Sequence, residues 1–306
     1  MNQEFTIEHI TTYRYGRPVR FGEHRLFCRP RDGYDIRVLD THIDVQPKGR
    51  VQWVHDVFSN WVAVFTPTST SDCLRVEASV RLVHRGTAGI ELPLDSHAER
   101  FPFDYSVDDR RDLGALLEPH YADPDGRLYE WTRRFFTGTA RPFTRELLVH
   151  MTQAIHDEFE YDEREQEGTQ PPDTTLQRAS GSCRDYALLM MEALRRLGIA
   201  ARFVSGYLYD AALDAGADAD GPTDGDGSET RGAGATHAWL QAYLPGAGWV
   251  AFDPTNSIFG GSRLVRVAYA RDPSQVPPLS GSYYGGPEDA GDMTVEVNVA
   301  RRKASD

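Results

Sequence analysis

From Phe5 to about Arg85 the apolar and polar positions alternate in short runs: FTIEHITTYRY, HRLFCRP, YDIRVLDTHIDVQP, VQWVHDVF, WVAVFTP and CLRVEASVRLVHR. Each run is rich in β-branched and aromatic residues, and turn signals such as Arg31-Asp32-Gly33, Pro47-Lys48-Gly49 and Ser59-Asn60 separate them. The pattern predicts a β-rich domain over 1–90, folded as a sandwich. Between 91 and 142 it becomes irregular and then helical, with short helices expected near 110–117 and 127–136, and this segment reads as a linker. The period then changes. Leu147, Leu148, Met151, Ile155 and Phe159 fall three and four residues apart, the apolar face of a helix that Thr144 can cap. A polar loop over 160–175 follows, with Gly168 and Pro171-Pro172 as turn signals.

The next stretch, ASGSCRDYALLMMEALRRL, predicts a helix that begins at Cys183. Ser182 and Asp185 form a capping-box pair at its start, Arg195 and Arg196 lie in its last turn, and Gly198 stands where a left-handed cap is expected. Tyr186 to Met191 is an unbroken apolar run, so the helix is central and buried. Cys183 at the first turn meets unpaired N–H donors and the positive end of the helix dipole, which favours the thiolate.

Beyond Gly198 three strands are expected: Ala201 to Tyr209, Thr236 to Leu244 and Gly248 to Thr255. Pro245-Gly246-Ala247 joins the last two as a hairpin. Alternation puts His237 and Trp239 on one face of the first hairpin strand and Asp253 on a face of the second, with His237 and Asp253 opposed to within a residue or two. The segment 210–235 between the first two strands carries seven acids against Arg231 alone. Its spacing does not match a calcium loop, and its composition is that of a solvated loop near the mouth of the site.

Composition narrows the function. A net charge of −13 argues against nucleic acid or an anionic membrane as partner. The three cysteines, Cys28, Cys73 and Cys183, have neither the spacing of a disulfide framework nor a CxxC pair. Cys28 and Cys73 fall in predicted strands, and the histidines at 9, 24, 42, 55 and 84 do not cluster. With no apolar leader and no run long enough to span a membrane, the expectation is a soluble cytoplasmic protein. Thiol-based amide chemistry needs a thiolate, an imidazole that holds and returns a proton, and a group that fixes the imidazole. Cys183, His237 and Asp253 supply these in chain order.

Three blocks, GSCRDYALLMMEALRRLGIAARFVSGYL, THAWLQAYLPGAGWVAFDPTN and VAYARDPSQVPPLSG, together with EFTIEHITTYRYGRPV near the N-terminus, resemble the transglutaminase-like superfamily in its bacterial branch. The resemblance implies an α+β, papain-like core over 143–270, following the β-rich 1–90 and the linker 91–142. A C-terminal extension with a final strand, 271–306, completes the chain. It implies Cys183 as nucleophile, His237 as general base and acid, and Asp253 as orienting carboxylate, with no cofactor. The substrate would be a protein or peptide, and the activity hydrolysis of an amide or acyl transfer through a thioester. For the second oxyanion donor or a substrate contact the candidates are Gln177, six residues before the cysteine, and Tyr161; Trp239 is expected to shield the pair or line the acyl groove. The competing readings are an inactive interaction module of the same fold and an arylamine-type N-acetyltransferase. A peptide N-glycanase is disfavoured because its zinc-binding cysteine pairs are missing.

Overall fold

The structure is a computed structural model that describes residues 2–85, 92–138, 141–164, 168–213, 230–232, 234–260 and 263–302. The segment 214–229, most of the acidic stretch, lies outside the described residues.

The N-terminal domain is built on one very long strand, β1 (Asn2–Leu26). Its first half pairs with β5 (Ser71–Arg85), which in turn pairs with β2 (Ile36–Gln46); its second half pairs with β4 (Trp61–Pro67), which carries β3 (Gly49–His55) at the edge. The register slips between Arg14 and Val19. At that irregularity β1 passes from one half-sheet to the other, as strands do when they turn a sandwich corner. Val19, Phe21 and Leu26 from the second half then face Val45, Leu74, Val76 and Ala78 from the first partners, with Ala63 and Phe65 closing the core. The sequence runs ending at Tyr15 and beginning at His24 are therefore one strand. Cys28 lies just past its end and is buried, and Cys73 is in β5, half-buried.

Two short helices, α1 (Val107–Leu113) and α2 (Arg127–Arg133), occupy the linker. The core begins with α3 (Thr144–Glu158). Thr144 is its first residue rather than its cap: Phe143 holds the cap position, and the Thr144 hydroxyl donates to the carbonyl of Ala98 at 2.6 Å. A two-residue strand, β6 (Glu160–Tyr161), leads away, and the stretch expected as loop up to 175 contains a further helix, α4 (Pro172–Arg178). Pro172 opens that helix, where a missing N–H costs nothing. β7 (Ser180–Gly181) pairs parallel with β6 and runs directly into α5 (Cys183–Arg196).

α5 is the centre of the core, as its apolar circumference requires. Tyr186 to Leu194 are all buried, and they pack on a five-stranded antiparallel sheet. Its strands are β8 (Ala201–Leu208), β9 (Thr236–Leu244), β10 (Gly248–Asp253), β11 (Ile258–Phe259) and β12 (Leu264–Ala270), in the order β11-β10-β9-β8-β12. One buried residue breaks the apolar rule. Glu192 accepts from the backbone N–H groups of His120 and Tyr121 and pairs with Arg195 at 2.8 Å and Arg196 at 3.1 Å, tying the linker to the helix.

The C-terminal extension returns to the N-terminal domain. β13 (Leu279–Tyr284) pairs with the second half of β1, and β14 (Ala290–Arg302) with the first half. Polar clasps lock the two parts together: Asn60 bonds both the N–H and the C=O of Tyr269 at 2.9 and 2.7 Å, Arg266 pairs with Asp35, and His9 bonds the Tyr207 hydroxyl at 3.0 Å. Among the described residues no helix is long and apolar enough to cross a membrane.

Candidate active site

The start of α5 is held by its third residue. The Asp185 carboxylate, fully buried, accepts from the Ser182 N–H at 2.9 Å and from the Ser182 hydroxyl at 3.0 Å, the capping pair the sequence announces. The same carboxylate takes the Gln170 N–H at 2.7 Å and pairs with Arg164 at 2.9 Å, so the preceding loop is fastened to the helix N-terminus. Gly181 is required by this closeness: a Cβ there would lie 2.8 Å from the Asp185 Cβ and 3.1 Å from the Gln170 amide nitrogen. Cys183 emerges one residue past the cap, 7% exposed.

His237 and Asp253 come from the end of the sheet nearest that cap. β9 and β10 pair Phe252 with Leu240, a register that sets Asp253 opposite Trp239, two positions along from His237 on the same face. Side chains reach across such a diagonal. His237 Nε2 meets Asp253 Oδ2 at 2.8 Å, and both side chains are sealed from solvent. Asp253 is held from two further directions, by the Thr255 N–H on Oδ1 at 2.9 Å and by the Asn256 amide on Oδ2 at 3.2 Å.

Burial alone would push the His237 pKa down. The charge and hydrogen bond of Asp253, and then the contact with Cys183, outweigh it, and the imidazole is raised from 6.5 to about 10. Burial would likewise raise Asp253, but the His237 charge, the hydrogen bonds from His237 and Asn256 and the Thr255 N–H bring it below the ordinary carboxylate value. The partnership with Asp253 thus favours the protonated ring. With Nε2 engaged by Asp253, the contact with Cys183 falls to Nδ1, which finds no standard hydrogen-bond partner.

Tyr161 reaches the same place through backbone pairing. β6 and β7 put Tyr161 beside Gly181, two residues before the cysteine. A Cβ on Gly232 would lie 2.8 Å from the Tyr161 hydroxyl and 3.3 Å from His237 Nδ1, so these two groups and the Gly232 backbone share one small volume. Burial, and after it the electrostatic influence of Cys183, Glu163 and Asp253, push the Tyr161 phenol up, so it stays a proton donor. Trp239 is 1% exposed and stacks on His237 with centroids 6.0 Å apart, while its other side packs on Val204, Leu208, Leu264 and Tyr269. That position shields the imidazole. Gln177 is elsewhere: it is exposed on α4 and donates to Asp173 one turn back. The left-handed turn at Ala179, φ 47°, intervenes between it and the cysteine.

Sequence reasoning passed over Gly232, Asn256, Gln170 and Arg164. Asn256 alone had a local signal, standing three residues after Asp253 in the DPTN turn. Among the described residues no group of three or more histidine, cysteine, aspartate or glutamate side chains is placed to hold a metal ion.

Comparison with known proteins agrees with this architecture. Residues 130–254 match the transglutaminase-like superfamily, and residues 5–82 match the bacterial transglutaminase-like N-terminal region. An uncharacterised protein of Mycobacterium tuberculosis is 28% identical over 96% of this chain and 92% of its own length. One of Mycobacterium leprae is 34% identical over 41% of this chain and 39% of its own length. Among solved structures, a candidate cysteine protease from Cytophaga hutchinsonii superposes with a TM-score of 0.68 at 18% identity, covering 98% of this chain and 91% of that one, a likeness of fold. The chain therefore belongs to the transglutaminase-like superfamily, with a bacterial transglutaminase-like N-terminal region ahead of its core.

Proposed function

We propose that the protein is a cysteine-nucleophile enzyme that cleaves or transfers amide-linked acyl groups of a peptide or protein substrate through a thioester at Cys183. The observation that carries this reading is the buried His237–Asp253 bond of 2.8 Å, with the second ring nitrogen left for the thiol at the capped start of α5. In the first half-reaction the Cys183 sulfur attacks the substrate carbonyl carbon, and His237 Nδ1 delivers its proton to the departing amine as the C–N bond breaks. In the second, water or a primary amine attacks the thioester carbonyl, its proton passes to His237, and the C–S bond breaks to release the Cys183 thiolate beside the protonated ring. Asp253 keeps the ring in one orientation and stabilises its charge throughout. The Cys183 backbone N–H at the first turn of α5 and the Tyr161 hydroxyl are the donors we assign to the oxyanion.

The test is a peptide library of glutamine-containing and other amide substrates, incubated with and without an added primary amine and read by mass spectrometry. Product mass separates hydrolysis from transfer. Cys183→Ala should abolish both products while its melting temperature stays close to that of the parent; turnover retained in that variant would sink the mechanism.

A further inference from the structure

Asn256 touches both the carboxylate that orients His237 and the backbone that walls the imidazole. Its Nδ2 donates to Asp253 Oδ2 at 3.2 Å and to the carbonyl of Arg231 at 3.1 Å, while its Oδ1 accepts the Arg231 N–H at 2.8 Å. The amide thus reads Arg231 as a strand partner would, in both directions, and still spends a proton on Asp253. Arg231 is anchored on its far side by its guanidinium, which donates to the carbonyl of His156 at 3.0 Å, and His156 in turn bonds the carbonyl of Thr255 at 2.8 Å. The next residue, Gly232, is the one that lies against Tyr161 and His237 Nδ1.

We propose that Asn256 is a positioning residue, whose single amide holds the Asp253 carboxylate toward His237 and registers the Arg231–Gly232 backbone against the nucleophile. This rests on the reading of Cys183 and His237 as nucleophile and acid–base partner. An amide is needed because the task requires a donor toward Asp253 and an acceptor toward Arg231 in one short side chain. Asp253 Oδ2 already takes the bond from His237, so the Asn256 donor fixes the rotation of the carboxylate at the oxygen that matters.

The experiment compares the parent protein with Asn256→Ala and Asn256→Asp, using iodoacetamide as probe and peptide mapping to follow Cys183 from pH 5 to pH 8.5. Melting curves check that each variant folds, and Asn256→Ser replaces Asn256→Ala if that one does not. Asn256→Asp keeps the acceptor toward Arg231 and loses the donor; ionised, it sets a second carboxylate against Asp253, and protonated, it donates again. The titratable and charged groups around position 256 are Asp253, His237, Arg231 and His156, with Tyr161 and Cys183 beyond the ring, and all of them are common to the three proteins. Asn256→Ala should react about tenfold more slowly than the parent at every pH, the effect of one lost hydrogen bond to a charged group. For Asn256→Asp the rate relative to the parent should climb as the pH falls from 8 to 5. A flat ratio in Asn256→Asp, equal to that of Asn256→Ala, would reduce Asn256 to a structural turn residue and overturn the proposal. Parent Cys183 reacting no faster than Cys28 and Cys73 would instead refute the nucleophile reading, and the proposal would fall with it.

Discussion

The sharpest consequence of the buried pair concerns Asp253→Asn. The substitution keeps the shape of the side chain and an acceptor for the Thr255 N–H, and removes the charge that holds the His237 proton. In the parent the imidazole stands at about 10 against an ordinary value of 6.5, a preference for the cationic ring of roughly 5 kcal/mol at ~1.4 kcal/mol per decade. Without the carboxylate, burial dominates and the ring should titrate at or below 6.5. His237 then becomes neutral at pH 8, and the reaction of Cys183 with iodoacetamide, together with any turnover, should fall by roughly a thousandfold, a cost of about 4 kcal/mol. The pH dependence follows the same linkage. Stabilisation by the raised histidine is fully present below pH 6.5 and lost as pH climbs through about 10; that from the depressed Asp253 is present above pH 3.8 and lost as pH drops through its folded value. Histidine ring-proton NMR from pH 5 to pH 11, with the alkylation rate beside it, reads the effect. A His237 resonance that titrates near 10 in both proteins would refute the electrostatic argument.

Two further outcomes follow from other parts of the site and core. Tyr161→Phe removes a protonated donor beside Cys183, so kcat should fall by one to two decades while KM and the melting temperature barely change; steady-state kinetics would expose an equal effect on KM as evidence for substrate binding instead. Glu192→Ala leaves the sealed Arg195 guanidinium without its carboxylate and the His120 and Tyr121 N–H groups without an acceptor, a loss of about 3–5 kcal/mol measurable by urea denaturation; a change below about 1 kcal/mol would contradict the role assigned to this cluster.

What the chain announces locally, the structure contains. The cap at Ser182 and Asp185, the apolar run behind it and the hairpin that opposes His237 and Asp253 all depend on residues within one helix turn or one strand pair. Features that depend on distant partners carry no such local mark. The runs ending at Tyr15 and beginning at His24 look like separate strands, yet β1 continues between them because β5, β13 and β14 supply partners on both sides. Pro171-Pro172 looks like a loop, yet the second proline opens α4. Glu192 and Arg195 are charged yet buried, with Arg196 half-buried beside them, because the linker backbone brings two N–H groups to the carboxylate. The Gln177 spacing does not bring that side chain to the cysteine because Gln177 sits on the exposed face of α4 and a left-handed turn follows, whereas Tyr161, 22 residues from the cysteine, arrives through a two-residue strand pair.

Residue-resolved alkylation by iodoacetamide at pH 7 decides whether Cys183 is the activated thiol proposed above. Cys28 is the internal reference: it is fully buried, and burial pushes its thiol up to about 12. Cys183 should be carbamidomethylated rapidly, with Cys28 untouched and Cys73 slower, and should lose most of its reactivity in His237→Ala. Equal labelling of Cys183 and Cys73, unchanged when His237 is removed, would contradict that reading.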